Sequence, residues 1–198
     1  MTKRGFQSLK TKALKELYRI GCCYEHGDGV KKDEVEAVKW YRMAADREFI
    51  SAMFALSKCY ALGIGVRRNA VTATKLLSKC ADKGDVGSMR ILGICYQEGR
   101  GIAYSPRKAA WWFRRAADNG DPWGMFYLGE CFENGDGERK DPDEAYLWYC
   151  RAVMTDPYDE WLYQSVQNKI FDPNLKECRE NLLKEAKNED GVVDVCDK

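Results

Sequence analysis

Nine cysteines, one histidine and four Gly-X-Gly turns are the residues of this chain that could do chemistry. A thiolate beside an imidazole makes a nucleophile with its base, but the lone histidine, His26, stands next to the first Gly turn and reads as a surface residue at a helix end, with no partner set for acid–base work. Zinc takes three or four ligands at set spacing, and the neighbours Cys22 and Cys23 have neither a CxxC pattern nor a second imidazole nearby. A Gly-X-Gly turn can cradle phosphate when a strand precedes it and Lys-Ser or Lys-Thr follows. Neither holds here. The expectation is a chain with no catalytic set, no metal and no cofactor.

The turns matter for a different reason. Gly27-Asp28-Gly29 recurs as Gly63-Ile64-Gly65, Gly99-Arg100-Gly101 and Gly135-Asp136-Gly137, each 36 residues after the last. A fixed period of this size marks a solenoid, whose units bury their apolar faces only by stacking on neighbours. Each unit reads as helix A, Gly turn, helix B, second turn. In the third unit Met89, Leu92, Cys95 and Tyr96 form one apolar stripe on helix A. Helix B opens on a cap column, Asp33, Asn69, Ser105 and Asp141, with Pro106 and Pro142 at the first helical position. It continues with Ala37, Ala73, Ala109 and Ala145, then Trp40, Leu76, Trp112 and Trp148, then Tyr41, Leu77, Phe113 and Tyr149. Small residues alternating with rings suit close helix stacking. Gly21, Gly93 and Gly129, with Ser57 in the second unit, predict a close approach of helix B. Gly84-Asp85 and Gly120-Asp121 join units, whereas Glu48-Phe49 makes the first junction less regular.

The formal net charge is +1, with acids and bases interspersed, so nucleic acid is not an expected partner. No apolar run is long enough to span a membrane, and Lys3 and Arg4 precede no secretory core. An odd number of cysteines, four of them (Cys23, Cys59, Cys95, Cys131) in one repeat column, predicts buried reduced thiols and a cytoplasmic protein.

The pattern L-G-x-C-Y-x-x-G-x-G-[VI], a polar cap, then A-x-x-W-[YF]-x-x-A-A-x-x-G-D resembles the Sel-one-like repeat family, a relative of the tetratricopeptide repeat. The resemblance covers residues 13–154 and is weakest in the second unit, where Ser57 replaces Gly and Leu76-Leu77 replace the aromatic pair. It implies an all-α, right-handed α/α superhelix of four helix-turn-helix units (13–48, 49–84, 85–120 and 121–156) that serves as a protein-binding scaffold. Residues 1–12 extend the first helix. Residues 157–187 form a degenerate fifth helix and a C-terminal capping helix from about 175 to 187, and 188–198 form a tail. In the fifth helix Trp161 takes the slot of Met53, Met89 and Met125.

The resemblance also implies a concave groove lined by helix A residues off the buried stripe. The column Tyr18, Phe54, Arg90, Phe126 and Leu162 is mostly aromatic or apolar, the types enriched at binding hot spots. Lys58, Trp123 and Glu130 join it. The column either lines this groove or packs neighbouring A helices together. Tyr104 and Trp111 stand where other units carry mainly basic residues, and they mark either a second contact patch or local packing. The expected function is a monomeric adaptor that holds a protein or peptide. A translocated bacterial effector and a toxin-neutralising immunity protein would use the same surface. A secreted, disulfide-bridged member is disfavoured, because Cys80 and Cys95 are too far apart in sequence for that subfamily's pairing.

Overall fold

The computed structural model describes residues 3–171, with side chains from residue 11. Among these the chain forms nine α-helices and no strand. They are α1 (Lys3–His26), α2 (Glu34–Ala45), α3 (Ile50–Leu62), α4 (Ala70–Asp82), α5 (Val86–Glu98), α6 (Pro106–Asp118), α7 (Pro122–Asn134), α8 (Pro142–Thr155) and α9 (Glu160–Ile170). The capping helix expected over 175–187 and the tail lie outside the described residues. The helices fall into two compact halves, residues 1–104 and 105–198. In the first, α1 to α5 each pack on the next in order. In the second, α6 to α9 do the same, and α9 also touches α7.

Local chemistry sets the helix ends. The side chains of Asp33, Asn69, Ser105 and Asp141 accept the backbone N–H of the residue three positions on, at 2.9, 3.0, 3.4 and 3.1 Å. Each bond satisfies one of the donors a helix start leaves open. Asp85, Asp121 and Asp159 cap α5, α7 and α9 in the same way. Phe49, at the start of α3, makes no such bond. Before it, Glu48 takes the left-handed backbone (φ +60°) that Gly84 and Gly120 supply at the other junctions. The irregular junction is therefore a non-glycine residue held where glycine is favoured.

The small column on helix A has the expected cause. A Cβ on Gly21 would lie 2.5 Å from the Tyr41 ring, and one on Gly129 would lie 2.6 Å from the Tyr149 ring. Both tyrosines are fully buried. From the second turn on, the second glycine serves the stack in another way. Gly65, Gly101 and Gly137 lie against the first-turn carbonyls of Glu34, Ala70 and Pro106, one unit back, so closely that a Cβ would sit 2.0–2.3 Å from the oxygen.

Two expectations change. Cys59, Cys95 and Cys131 are buried, but Cys23 in the first unit is only half-buried. Trp161 leaves the methionine slot's core role and is 82% exposed. α9 turns Leu162, Val166 and Ile170 toward the core, and Trp161 faces away. Seven cysteines among the described residues are free thiols. Burial raises Cys59 and Cys80 from 9.0 to about 11 and Cys131 to about 12.

Candidate protein-binding face

In the first half, Tyr18 on α1, Phe54 on α3 and Arg90 on α5 are all half-buried. The Tyr18 ring lies 5.6 Å from Tyr41 and 5.9 Å from Phe49, so one side packs and the other faces out. Burial, then Cys22, pushes its hydroxyl up to about 12. Lys58 is exposed beside them. Beneath the face, the Tyr41 hydroxyl donates to Glu25 and lies 3.5 Å from Cys22 Sγ. This part of the column combines anchored apolar bodies with available edges and two cations.

In the second half the same column is spent on packing, which corrects the groove reading there. Leu162 has no exposed surface and Phe126 is 7% exposed, so neither offers a partner anything. Both belong to a core with Tyr149, Val166 and Ile170, because α9 packs its own Leu162 over the face that Phe126 would have opened. Trp123 is half-buried, and its indole N–H donates to Asp159 Oδ2 at 2.8 Å. Asp159 also caps α9, so this contact ties α7 to the start of α9. Glu130 pairs with Lys169 on α9 at 3.1 Å. Lys169 Nζ also meets Glu133 Oε2 at 2.9 Å, and the same oxygen accepts from the Tyr149 hydroxyl at 2.6 Å. Burial alone would lower the Lys169 pKa, but the two carboxylates outweigh it and the net shift is upward.

Tyr104, in the first half, is 64% exposed. Trp111, in the second, is 51% exposed, with the Arg115 guanidinium 4.9 Å from its ring. Sequence reasoning missed the exposed apolar cluster Met154, Tyr158 and Trp161 around the α8–α9 turn. Asp156-Pro157, where the second and third units carry Gly-Asp, was the available signal. It also missed the Tyr–Glu pairs. The acid precedes its tyrosine by 16 residues in both units that have one, and where the ring slot holds Leu77 or Phe113 the acid slot holds Ala61 or Gln97. Among the described residues no group of three or more His, Cys, Asp or Glu is placed to hold a metal ion, and no helix is long and apolar enough to cross a membrane.

This helical pairing, with its glycine turns and cap columns, can be set beside known proteins. The Sel1 repeat model matches residues 17–49, 50–85, 86–121 and 124–154. The chain belongs to the Sel1 repeat family. Among solved structures it is similar to a protective antigen of uropathogenic Escherichia coli with an SLR fold (31% identity, TM-score 0.69), covering 71% of this chain and 30% of that one. It is also similar to a Sel1 repeat protein from Oxalobacter formigenes (30% identity, TM-score 0.69), covering 72% and 58%. Helicobacter pylori cysteine rich protein B shares the fold at 24% identity and TM-score 0.50, covering 67% of this chain and 96% of that one. The chain thus spans less than two thirds of the first two relatives. No curated protein matches it significantly. Sel1 repeat proteins are generally protein-interaction scaffolds, and the fold is typically non-enzymatic.

Proposed function

We propose that this Sel1 repeat chain is a reversible protein-interaction adaptor whose binding face is the helix A side of its first half. One observation carries the reading: Tyr18, Phe54 and Arg90 keep accessible edges on α1, α3 and α5, while the equivalent Phe126 on α7 and Leu162 on α9 are buried in one shared core. Half-packed aromatics beside cations make rigid anchors that lose little freedom on binding. Arg90 and Lys58 fit a partner with an acidic rim. Cys59, Cys95 and Cys131 sit buried in one repeat column, which fits thiols kept reduced in a reducing compartment.

The test compares wild type with Lys58→Glu/Arg90→Glu as baits in native lysate, read by mass spectrometry. Circular dichroism confirms that both baits keep the same helicity. A protein held by wild type and lost by the charge-reversed bait supports the face. Equal capture by both baits overturns it. The recovered partner also separates the roles: an endogenous protein means an adaptor, a host protein an effector, and a toxin an immunity protein.

A further inference from the structure

The second repeat departs from the other three at linked positions, and a cavity opens where it does. Units one and four fill the helix A–helix B interface with Tyr41 on Glu25 and Tyr149 on Glu133. Unit two has Leu77 in the ring slot, Ala61 in the acid slot and Ser57 in the glycine slot. Removing a ring and a carboxylate from one interface leaves space, and the structure shows a cavity of ≈ 260 Å³ lined by Ala61, Leu77 and Ile91. Its edge carries Arg68 and Arg100, both exposed. Arg68 has no ion-pair partner among the described residues. Arg100 stands where the first and fourth turns have Asp28 and Asp136, so an acid has become a base beside the cavity. It pairs with Glu98, but that pair is exposed and worth little, which leaves the guanidinium free to turn to another anion. Thr74 holds the Arg100 turn against α4, its hydroxyl 2.8 Å from the Ala70 carbonyl oxygen and 3.0 Å from that of Arg100.

We propose that this cavity binds a carboxylate carried on a compact aliphatic group. The volume falls just under the roughly 300–1,000 Å³ of sites for drug-sized ligands, so it suits one branched side chain rather than a larger molecule. Because the apolar floor and both guanidinium groups line one small space, carboxylate and side chain must sit on the same or adjacent carbons. The terminal residue of a peptide has that arrangement, and so does a free acylated amino acid. The site is separate from the face proposed above, and its test does not depend on that face.

The experiment titrates the full chain with N-acetyl-leucine and follows the methyl NMR signals of Ala61, Leu77 and Ile91. N-acetyl-leucinamide and N-acetylglycine are the controls. The acid should shift these signals and bind about tenfold or more tighter than either control, as expected for charge-assisted bonds and for a filled apolar floor. A Leu-terminated pentapeptide with a free carboxylate distinguishes the sources: tighter binding than N-acetyl-leucine assigns the site to a chain end, and equal binding to a free acid. Two variants must lose the ligand. Ser57→Gly/Ala61→Glu/Leu77→Tyr grafts the first repeat's packing into the second and fills the cavity. Arg68→Gln/Arg100→Asp changes only exposed side chains and decides the matter should the graft misfold. Equal affinity for acid and amide, or binding retained by the folded charge variant, overturns the proposal.

Discussion

Alanine at Gly29 and alanine at Gly65 should have unequal costs, although the two glycines share a repeat position and a backbone conformation. Their φ angles are +72° and +62°, so a side chain pays the same left-handed penalty at either, about 1–2 kcal/mol. Part of that, about 0.4–1 kcal/mol, returns through the stiffer unfolded chain. At Gly29 nothing lies within 4 Å of the new methyl. At Gly65 the methyl would sit 2.0 Å from the Glu34 carbonyl oxygen and 2.9 Å from the Val35 nitrogen. Those atoms are backbone at the start of α2 and cannot rotate away, so the units must separate. Overpacking of that kind costs about 1–3 kcal/mol more. For a chain of this size each kcal/mol moves Tm by about 2–4 °C, which puts Gly65→Ala about 2–12 °C below Gly29→Ala. Thermal melts followed by circular dichroism at 222 nm measure the difference. Because repeat arrays open unit by unit, amide exchange should place the loss in α2 and α3. Equal melting of the two variants would show that the column serves backbone conformation alone and that the contact between units carries no energy.

Two further outcomes follow from the buried polar groups. A double-mutant cycle on Lys169→Met and Glu133→Gln should give a coupling of about 0.5–3 kcal/mol, because each partner is largely shielded and α9 is held to α7 through this pair. Additive single mutants in urea melts would refute it. Stability should also fall with rising pH. The Cys59, Cys80 and Cys131 thiols hold their protons more tightly folded (about 11, 11 and 12) than at the ordinary 9.0, so their contribution is complete below pH 9 and is lost as pH climbs through 11 to 12. Melts from pH 7 to 11 check this, and a flat profile would mean these thiols are not desolvated.

The parts of the fold legible in the sequence are those whose cause is local. Asp33, Asn69, Ser105 and Asp141 could be read as caps because a cap bond reaches only three residues along the chain. Gly21 and Gly129 could be read as contact points because the period brought them into register with Tyr41 and Tyr149. The fate of the aromatic column was not legible. A ring on the flank of helix A looks the same in sequence whether it faces a groove or a neighbouring helix, and α9 decides it by covering Phe126 and burying Leu162 with Val166 and Ile170. The Tyr–Glu pairs lay between these cases. They bridge two helices and no local rule finds them, but comparing the four units shows an acid only where the ring carries a hydroxyl.

That comparison gives the second repeat a meaning beyond poor family resemblance. If Leu77, Ala61 and Ser57 were neutral drift, nothing would tie them to the acid-to-base change at Arg100, which lies one turn away around the same cavity. The second repeat also forgoes stability. Leu77 is already buried, so Tyr in its place adds only three ring carbons, worth about 0.8 kcal/mol each, against about 0.5–1 kcal/mol for placing glycine in α3. The graft of the first repeat's three residues should therefore raise the stability of α3 and α4 by about 1–2 kcal/mol while abolishing the cavity. A binding site is one of the few reasons to keep a looser interface inside a stack whose neighbours show how to close it. Should the graft close the cavity and melt lower than wild type, Leu77 and Ala61 would be the better packing for this interface, and their divergence would need no ligand to explain it.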